Sequence, residues 1–478
     1  VRGAIPPRPL APARAAPAQA GAAGGDVPPA LFGRRWRYLA ALGASVLLLV
    51  LMTGGARHAF EPETYPLTSE WRGLTVPTWR TFNPTLGALT AWLTWRSVDA
   101  GDFYPIYRAA LRQRYGQNQM YYPNGLKRRL AAFVYTPFAA LLVSPLVLLD
   151  LTEAQAADVV SVVNHLLAIA ALIMLLRVLS HERPLAVGDV VLAVLHYLAF
   201  YPLARALHLT QATVWIFFFL VLSAFLLQRR WWFGAGLALA VGVSIKPHLI
   251  VAVPVLWLVP GFPRRVIVGC VVGLGVTTVS SVIYAGVENC RAFLFSALPT
   301  LSAGYTYFRD QSVGGLLRRL ASIQDPVIFT LAPSVTWART ISTLMGVAIL
   351  GLTLLACRRS FRSHPRGADL LCFGAALTAA VLISPVLWEH HFTVLLIPFA
   401  VAAGWLRLSG DARPRGAGVA LLASFVLVGV YVETRYFSGF PLALLSGFQF
   451  YGGLLLLSTL AVFLGSAGPG SRAGQTSR

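Results

Sequence analysis

Four groups of residues carry the polar chemistry of an otherwise apolar sequence. The first is Asp99, Asp102, Tyr104, Tyr107 and Arg108, which fall between two apolar stretches. A carboxylate there suits a general base acting on a hydroxyl; the competing reading is that Asp102 caps the helix that begins beside it. The second is Lys246, in Val243-Ser244-Ile245-Lys246-Pro247-His248. A cation inside an apolar run costs about 2.5–3.5 kcal/mol at the bilayer centre, so Lys246 must face a cavity or an anion, or snorkel to the interface. A lysine beside a proline break suits phosphate, because the break frees backbone groups and the ammonium supplies charge. The third is Trp388-Glu389-His390-His391. Adjacent histidines on a helix point about 100° apart and are ill placed to share a metal; they belong to an interfacial aromatic belt or hydrogen-bond a polar substrate. The fourth runs from Arg309-Asp310-Gln311-Ser312 to Leu320 and reads as an amphipathic surface helix, capped by Asp310 or Ser312, with arginines in reach of phosphate. His208 and Gln211, at the mouth of an apolar run, read as a cap or a helix–helix contact.

The elements that hold these groups are set by composition. Of 478 residues 56% are apolar and 12% charged, against about 25% charged in an ordinary soluble domain. A soluble enzyme is excluded, and apolar runs of about 20 residues point to a polytopic, all-α membrane protein. The net charge of +21 comes from 39 basic residues, of which only Lys127 and Lys246 are lysines. The arginines lie in short loops between apolar runs, where the positive-inside rule accounts for them, so nucleic acid is not an expected partner. Their excess over lysine points to a GC-rich bacterial gene. Cys270, Cys290, Cys357 and Cys372 have no metal-ligand spacing. No Walker loop, dinucleotide fingerprint or HExxH segment occurs, so ATP-driven, dinucleotide and zincin chemistry lack support and no cofactor is expected.

Residues 1–33, rich in Ala, Pro, Gly and Arg, read as a disordered cytoplasmic tail. Residues 34–466 read as the transmembrane domain, and 467–478 as a flexible cytoplasmic C-terminus. The Arg34-Arg35-Trp36-Arg37 cluster orients a first span over 38–53 with its start inside. Residues 57–129 then form a first outer loop, with an interfacial helix over 86–96 and a short helix from Asp102 to the Gly116 stop. Further apolar runs lie near 131–149, 156–178, 186–203, 211–228, 232–260, 265–285, 337–357, 368–387, 390–407, 417–434 and 442–465. The basic connectors Arg264-Arg265, Arg358–Arg366 and Arg407–Arg415 mark the cytoplasmic side, leaving 286–336 as a second outer loop. The run 232–260 is either one helix kinked at Lys246-Pro247 or a hairpin. The charge rule favours the hairpin, which requires one more crossing or re-entrant segment upstream. No internal repeat is seen, which weakens a transporter of duplicated halves.

In this order the segments resemble glycosyltransferase family 87, of the GT-C class. The resemblance is carried by Asp102-Phe103 with Tyr107 and Ala109-Ala110, Phe133-Val134-Tyr135-Thr136-Pro137 with Pro145, Gln211, Lys246-Pro247, Gln311-Ser312, and Ser384-Pro385 with Trp388-Glu389-His390-His391. Thr136 stands where a second proline is usual, and Thr210 where glycine precedes the glutamine. The resemblance implies a GT-C fold of 12 to 13 spans. It implies an inverting transfer of a sugar, mannose foremost, from a polyprenyl-phosphate donor to a lipid or glycan hydroxyl at the outer face of a bacterial cytoplasmic membrane. On that reading Asp102 is the base, Lys246 and Arg309 hold the donor phosphate, and Tyr107, Gln211, His248, His390 and His391 line the substrate site. The rival readings are a polyprenyl-phospho-arabinose-dependent transferase and, from another class, a lipid or glycan transporter.

Overall fold

The structure, a computed structural model, describes residues 92, 95, 100–117, 119–121, 133–180, 183–302, 307, 309–321, 336–363, 367–409, 414–432 and 442–466. The tail, the 38–53 span, Asp99, most of 86–96 and the C-terminal segment lie outside the described residues. Among the described residues the fold is helical, with one isolated bridge between Asp310 and Trp388.

The helices are α1 (Tyr104–Arg114), α2 (Pro137–Leu148), α3 (Glu153–Leu179), α4 (Val187–Ala199), α5 (Tyr201–His208), α6 (Thr213–Gln228), α7 (Trp232–Ile245) and α8 (Ala252–Trp257). They continue as α9 (Arg264–Ala292), α10 (Leu298–Ser302), α11 (Val313–Ala321), α12 (Thr336–Ser363), α13 (Ala368–Leu382), α14 (Leu396–Ser409), α15 (Ala417–Gly429), α16 (Leu442–Leu445) and α17 (Phe448–Gly465). Short 3-10 turns, Pro247–Val251 and Glu389–Leu395, lead into α8 and α14. Five helical stretches among these are long and apolar enough to cross a membrane, or six if the bent pair α4–α5 counts as one. Six further apolar helices are shorter, at 10–17 residues.

Local chemistry sets the boundaries that matter. Thr152 starts α3 with a capping box: its hydroxyl accepts from the Gln155 N–H (3.3 Å), and the Gln155 side-chain oxygen accepts from the Thr152 N–H (2.9 Å). Pro247 ends α7, because the ring disfavours helical backbone at the preceding residue; Lys246 is extended at φ −144°, ψ 108°. The carbonyls stranded at the end of α7 are taken by the segment before α2. The Thr136 hydroxyl donates to Ser244 O, and the Thr136 N–H donates to Ile245 O at 3.4 Å.

One end of the bundle is basic. Arg407 donates to the Leu179 and Pro184 carbonyls and to Asp189 at 3.1–3.2 Å, Arg264 to Trp257 O at 2.9 Å, and Arg358 to Leu258 O at 3.2 Å. Gln228 at the end of α6 donates to Val178 O at 3.1 Å. The C-terminal ends of α3, α6, α8, α12 and α14 therefore share this end.

The 232–260 run is resolved by the α7–α9 contact. Gly236 lies against Val266 and Cys270, Gly273 against Ala240, and Ser244 Oγ is 2.7 Å from Thr277 Oγ1. The register advances in the same direction on both helices, so α7 and α9 are parallel and residues 247–263 must lead back to the basic end. This is the hairpin, with Lys246 at the end opposite the arginines.

The missing upstream segment is explained by α2. It begins level with the end of α7, and its C-terminal half meets the outer part of α9: Gln113 of α1 donates to Tyr284 O (2.8 Å), and Arg114 donates to Val147 O and Asp150. The run 131–149 thus turns away from the basic end instead of reaching it. Sequence apolarity alone had counted it with the spans; at 12 residues, about 18 Å, it stays in one half of the bundle.

Candidate functional site

A cavity of about 500 Å³ opens at the end opposite the arginines, within the usual range for small-molecule sites. Separate parts of the chain supply its polar wall. The turn before α1 brings Asp102. The α5–α6 segment brings Arg205 and Gln211. The α7 break brings Lys246 and His248, and the loop from Ser384 to the turn before α14 brings Trp388, Glu389, His390 and His391, with Arg309 beside it.

Of the eight residues singled out in the sequence, seven line this cavity: Asp102, Gln211, Lys246, His248, Arg309, His390 and His391. Tyr107 does not. It is buried in the core, and its hydroxyl donates to Leu151 O, tying α1 to the start of α3. Asp102 does not cap α1 either: Phe103 is the N-cap residue, without a side-chain capping bond. The Asp102 carboxylate instead accepts from Gln211 Nε2 at 2.5 Å. Gln211 is in turn held by the Tyr135 hydroxyl, which donates to Gln211 Oε1 at 2.8 Å. Its backbone carbonyl accepts from Asn164 (3.3 Å), whose Oδ1 accepts from Trp215 Nε1 (2.6 Å). The residue before it, Thr210, has φ +50°, a left-handed conformation that glycine adopts without strain.

The cationic side is built around Lys246. Its Nζ is 2.5 Å from His391 Nε2 and 5.5 Å from the centre of the Tyr135 ring. His391 stacks on His248 (5.0 Å) and meets His390 edge-on (4.6 Å). Both ring nitrogens of His248 and Nε2 of His390 are buried without a hydrogen-bond partner, and buried polar atoms of this kind ask for a ligand or water.

Glu389, Arg205, Tyr135 and Tyr201 also belong to the site, and the sequence reading gave none of them a role there. The Tyr201 hydroxyl donates to Glu389 Oε2 at 3.0 Å. Burial opposes the charge of Arg309, but the Glu389 carboxylate and the surrounding tyrosine hydroxyls outweigh it and hold the guanidinium above its ordinary range. Arg205 could have been found by the argument used for Lys246, a charge in an apolar segment. Tyr135 entered from sequence only as part of the motif that carries the family resemblance, without a role.

The loop carrying the histidines is pinned from behind by Asp310. Its Oδ1 accepts from the Ser312 and Leu387 N–H groups at 3.0 Å, and its backbone carbonyl accepts from Arg319 at 2.7 Å. Burial pushes the Asp310 carboxyl above its usual range, against those N–H donors. Ser312 caps α11, accepting from the Gly315 N–H at 2.9 Å. This helix was expected on the surface; Val313, Leu316, Arg318 and Arg319 are instead buried, because Arg319 also reaches Ser446 (3.0 Å) between helices.

The four cysteines are free thiols, and among the described residues no cluster of His, Cys, Asp or Glu could hold a metal ion. The arrangement offers a carboxylate for a hydroxyl proton and a cation with imidazoles beside it for an anionic group.

The family model described as Glycosyltransferase family 87 matches residues 133–385, a little over half of the chain. The match covers Tyr135, Gln211, Lys246, Arg309 and Ser384-Pro385; Asp102, His390 and His391 lie outside it and join the same cavity through the fold. No curated protein and no solved structure matches the chain.

Proposed function

Because this chain belongs to glycosyltransferase family 87 and is a membrane glycosyltransferase, we propose that it transfers a sugar, mannose foremost, from a polyprenyl-phosphate donor to a lipid or glycan hydroxyl, with inversion. The single observation that carries this reading is the cavity in which Asp102 faces the Lys246–histidine cluster. Asp102 takes the acceptor proton as the hydroxyl attacks the anomeric carbon, and the bond to the phosphate oxygen breaks. The departing polyprenyl phosphate is an anion, and Lys246, assisted by Arg309, stabilises its charge in a low-dielectric site. His248, His390 and His391 supply hydrogen bonds to phosphate or sugar hydroxyls, and Gln211 stands beside Asp102.

In the proposed topology the GT-C fold has twelve spans: the 38–53 segment, then α3, α4–α5, α6, α7, the 247–257 return, α9, α12, α13, the 389–409 stretch, α15 and α17. The basic end faces the cytoplasm by the charge rule, and the cavity faces outward. A lipid-phosphate donor fits that side, where no nucleotide sugar is needed.

The test is transfer of radiolabel by purified protein from polyprenyl-phospho-mannose, with polyprenyl-phospho-arabinose in parallel, to a membrane-lipid acceptor pool. Labelled product from mannose alone, reduced about a hundredfold or more in Asp102→Asn, is the expected result. Product from the arabinose donor alone would change the sugar. Donor that remains intact with a competent acceptor pool and folded protein would favour transport.

A further inference from the structure

We propose that Tyr135 and Gln211 form a fixed positioning relay for Asp102, so that Gln211 acts on the base and not on the substrate. This deepens the reading above and rests on Asp102 being the base. A primary amide has two ends, and here each is committed. The Tyr135 hydroxyl donates to Gln211 Oε1 (2.8 Å), which leaves Nε2–H to donate to Asp102 Oδ2 (2.5 Å). Were the amide flipped, its oxygen would face a carboxylate and its NH₂ a hydroxyl, so the Tyr135 hydroxyl selects the orientation in which Asp102 receives a proton donor.

The relay is anchored at each link by a different element. Tyr135 O accepts from the Tyr121 hydroxyl at 2.6 Å. The Gln211 backbone is held by Asn164 of α3, itself fixed by Trp215 of α6. Tyr135 and Gln211 are 3% and 2% exposed, so water does not compete for the bond between them, while Asp102 keeps one side open to the cavity. In such a setting each hydrogen bond polarises the next, and the tyrosine hydroxyl strengthens the amide as a donor. An amide does not pass a proton along this chain without changing its bonding, so the relay orients Asp102 and favours its ionised form; it does not carry the proton away.

Three variants test this by steady-state transfer and donor binding, each normalised to folded protein. Tyr135→Phe keeps the ring beside Lys246 and removes only the hydroxyl. It is expected to lower kcat about tenfold, leave the donor KM within about twofold, and move the acidic limb of the kcat–pH profile upward, because Asp102 loses support for its charge. Gln211→Glu retains the shape but sets a second carboxylate against Asp102. Two carboxylates at that distance share a proton, so transfer should fall at neutral pH with its acidic limb displaced upward and donor binding retained. A rise in KM at unchanged kcat in these variants would return Gln211 to the substrate, and unchanged kcat and pH profile in Tyr135→Phe would overturn the relay. Asp102→Asn separates the two levels: near-normal transfer in that variant removes the base assignment itself, whatever Tyr135→Phe does.

Discussion

Lys246 and His391 are 145 residues apart in sequence and 2.5 Å apart in space, and that pairing makes the lysine useful. Lys246 has an imidazole and no carboxylate in direct contact and feels Asp102 across the cavity, whereas Arg309 sits against Glu389 and spends part of its field there. Lys246 should therefore dominate recognition of an anionic donor. Lys246→Gln is expected to weaken binding of polyprenyl phosphate by about tenfold or more, the value of a charged hydrogen bond, with Asp102 chemistry otherwise intact. Isothermal titration with polyprenyl phosphate reads this directly; an unchanged Kd would shift the phosphate to the Arg205–Arg309 side. Tyr107 shows the opposite lesson. The family resemblance implied that it lines the substrate site, but its hydroxyl donates to Leu151 O at the α3 entry.

At the scale of elements, the site depends on α7 and α9 approaching closely. A Cβ on Gly236 would land on the Val266 carbonyl oxygen, and one on Gly269 on the Phe233 carbonyl oxygen. Both clashes are with backbone, so they are relieved only by moving a helix. Small residues of this kind let membrane helices pack backbone to backbone. Gly236→Val should force the pair apart, displace the Lys246 break, and lower thermal stability by about 1–3 kcal/mol, measured by detergent-solubilised melting. Gly275, in α9 with nothing within 4 Å, is the control, and Gly275→Val should leave the melting curve nearly unchanged. The break itself was legible in sequence, since Lys246-Pro247 cannot continue a helix without strain. The reversal after it has the same local chemistry as a kink; only the charge of the flanking connectors favoured it, and the parallel register of α7 and α9 bears it out.

For the whole molecule, the short α2 decides which end each loop occupies. Asp150 lies beyond α2 with Arg114, while Arg230 and Arg415 follow helices that end at the basic end. Single-cysteine variants at 150, 230 and 415, labelled in sealed vesicles with an impermeant maleimide, should therefore fall into two classes. Asp150→Cys should react from one face, and Arg230→Cys and Arg415→Cys from the other. Matching accessibility for Asp150→Cys and Arg415→Cys would mean that α2 crosses after all.

The sequence by itself determined the membrane class, the family, the positions of the apolar runs and the identity of most polar groups in the cavity. These follow from local properties: a charge in an apolar run is costly wherever the chain goes, and proline ends a helix in any fold. Tertiary structure decided what those groups do to one another. Tyr135 faces Gln211, Gln211 faces Asp102, and Asp310 pins the histidine loop from behind. None of these pairs is near in sequence, and hydrogen-bond geometry is set by how helices pack, which no local pattern encodes.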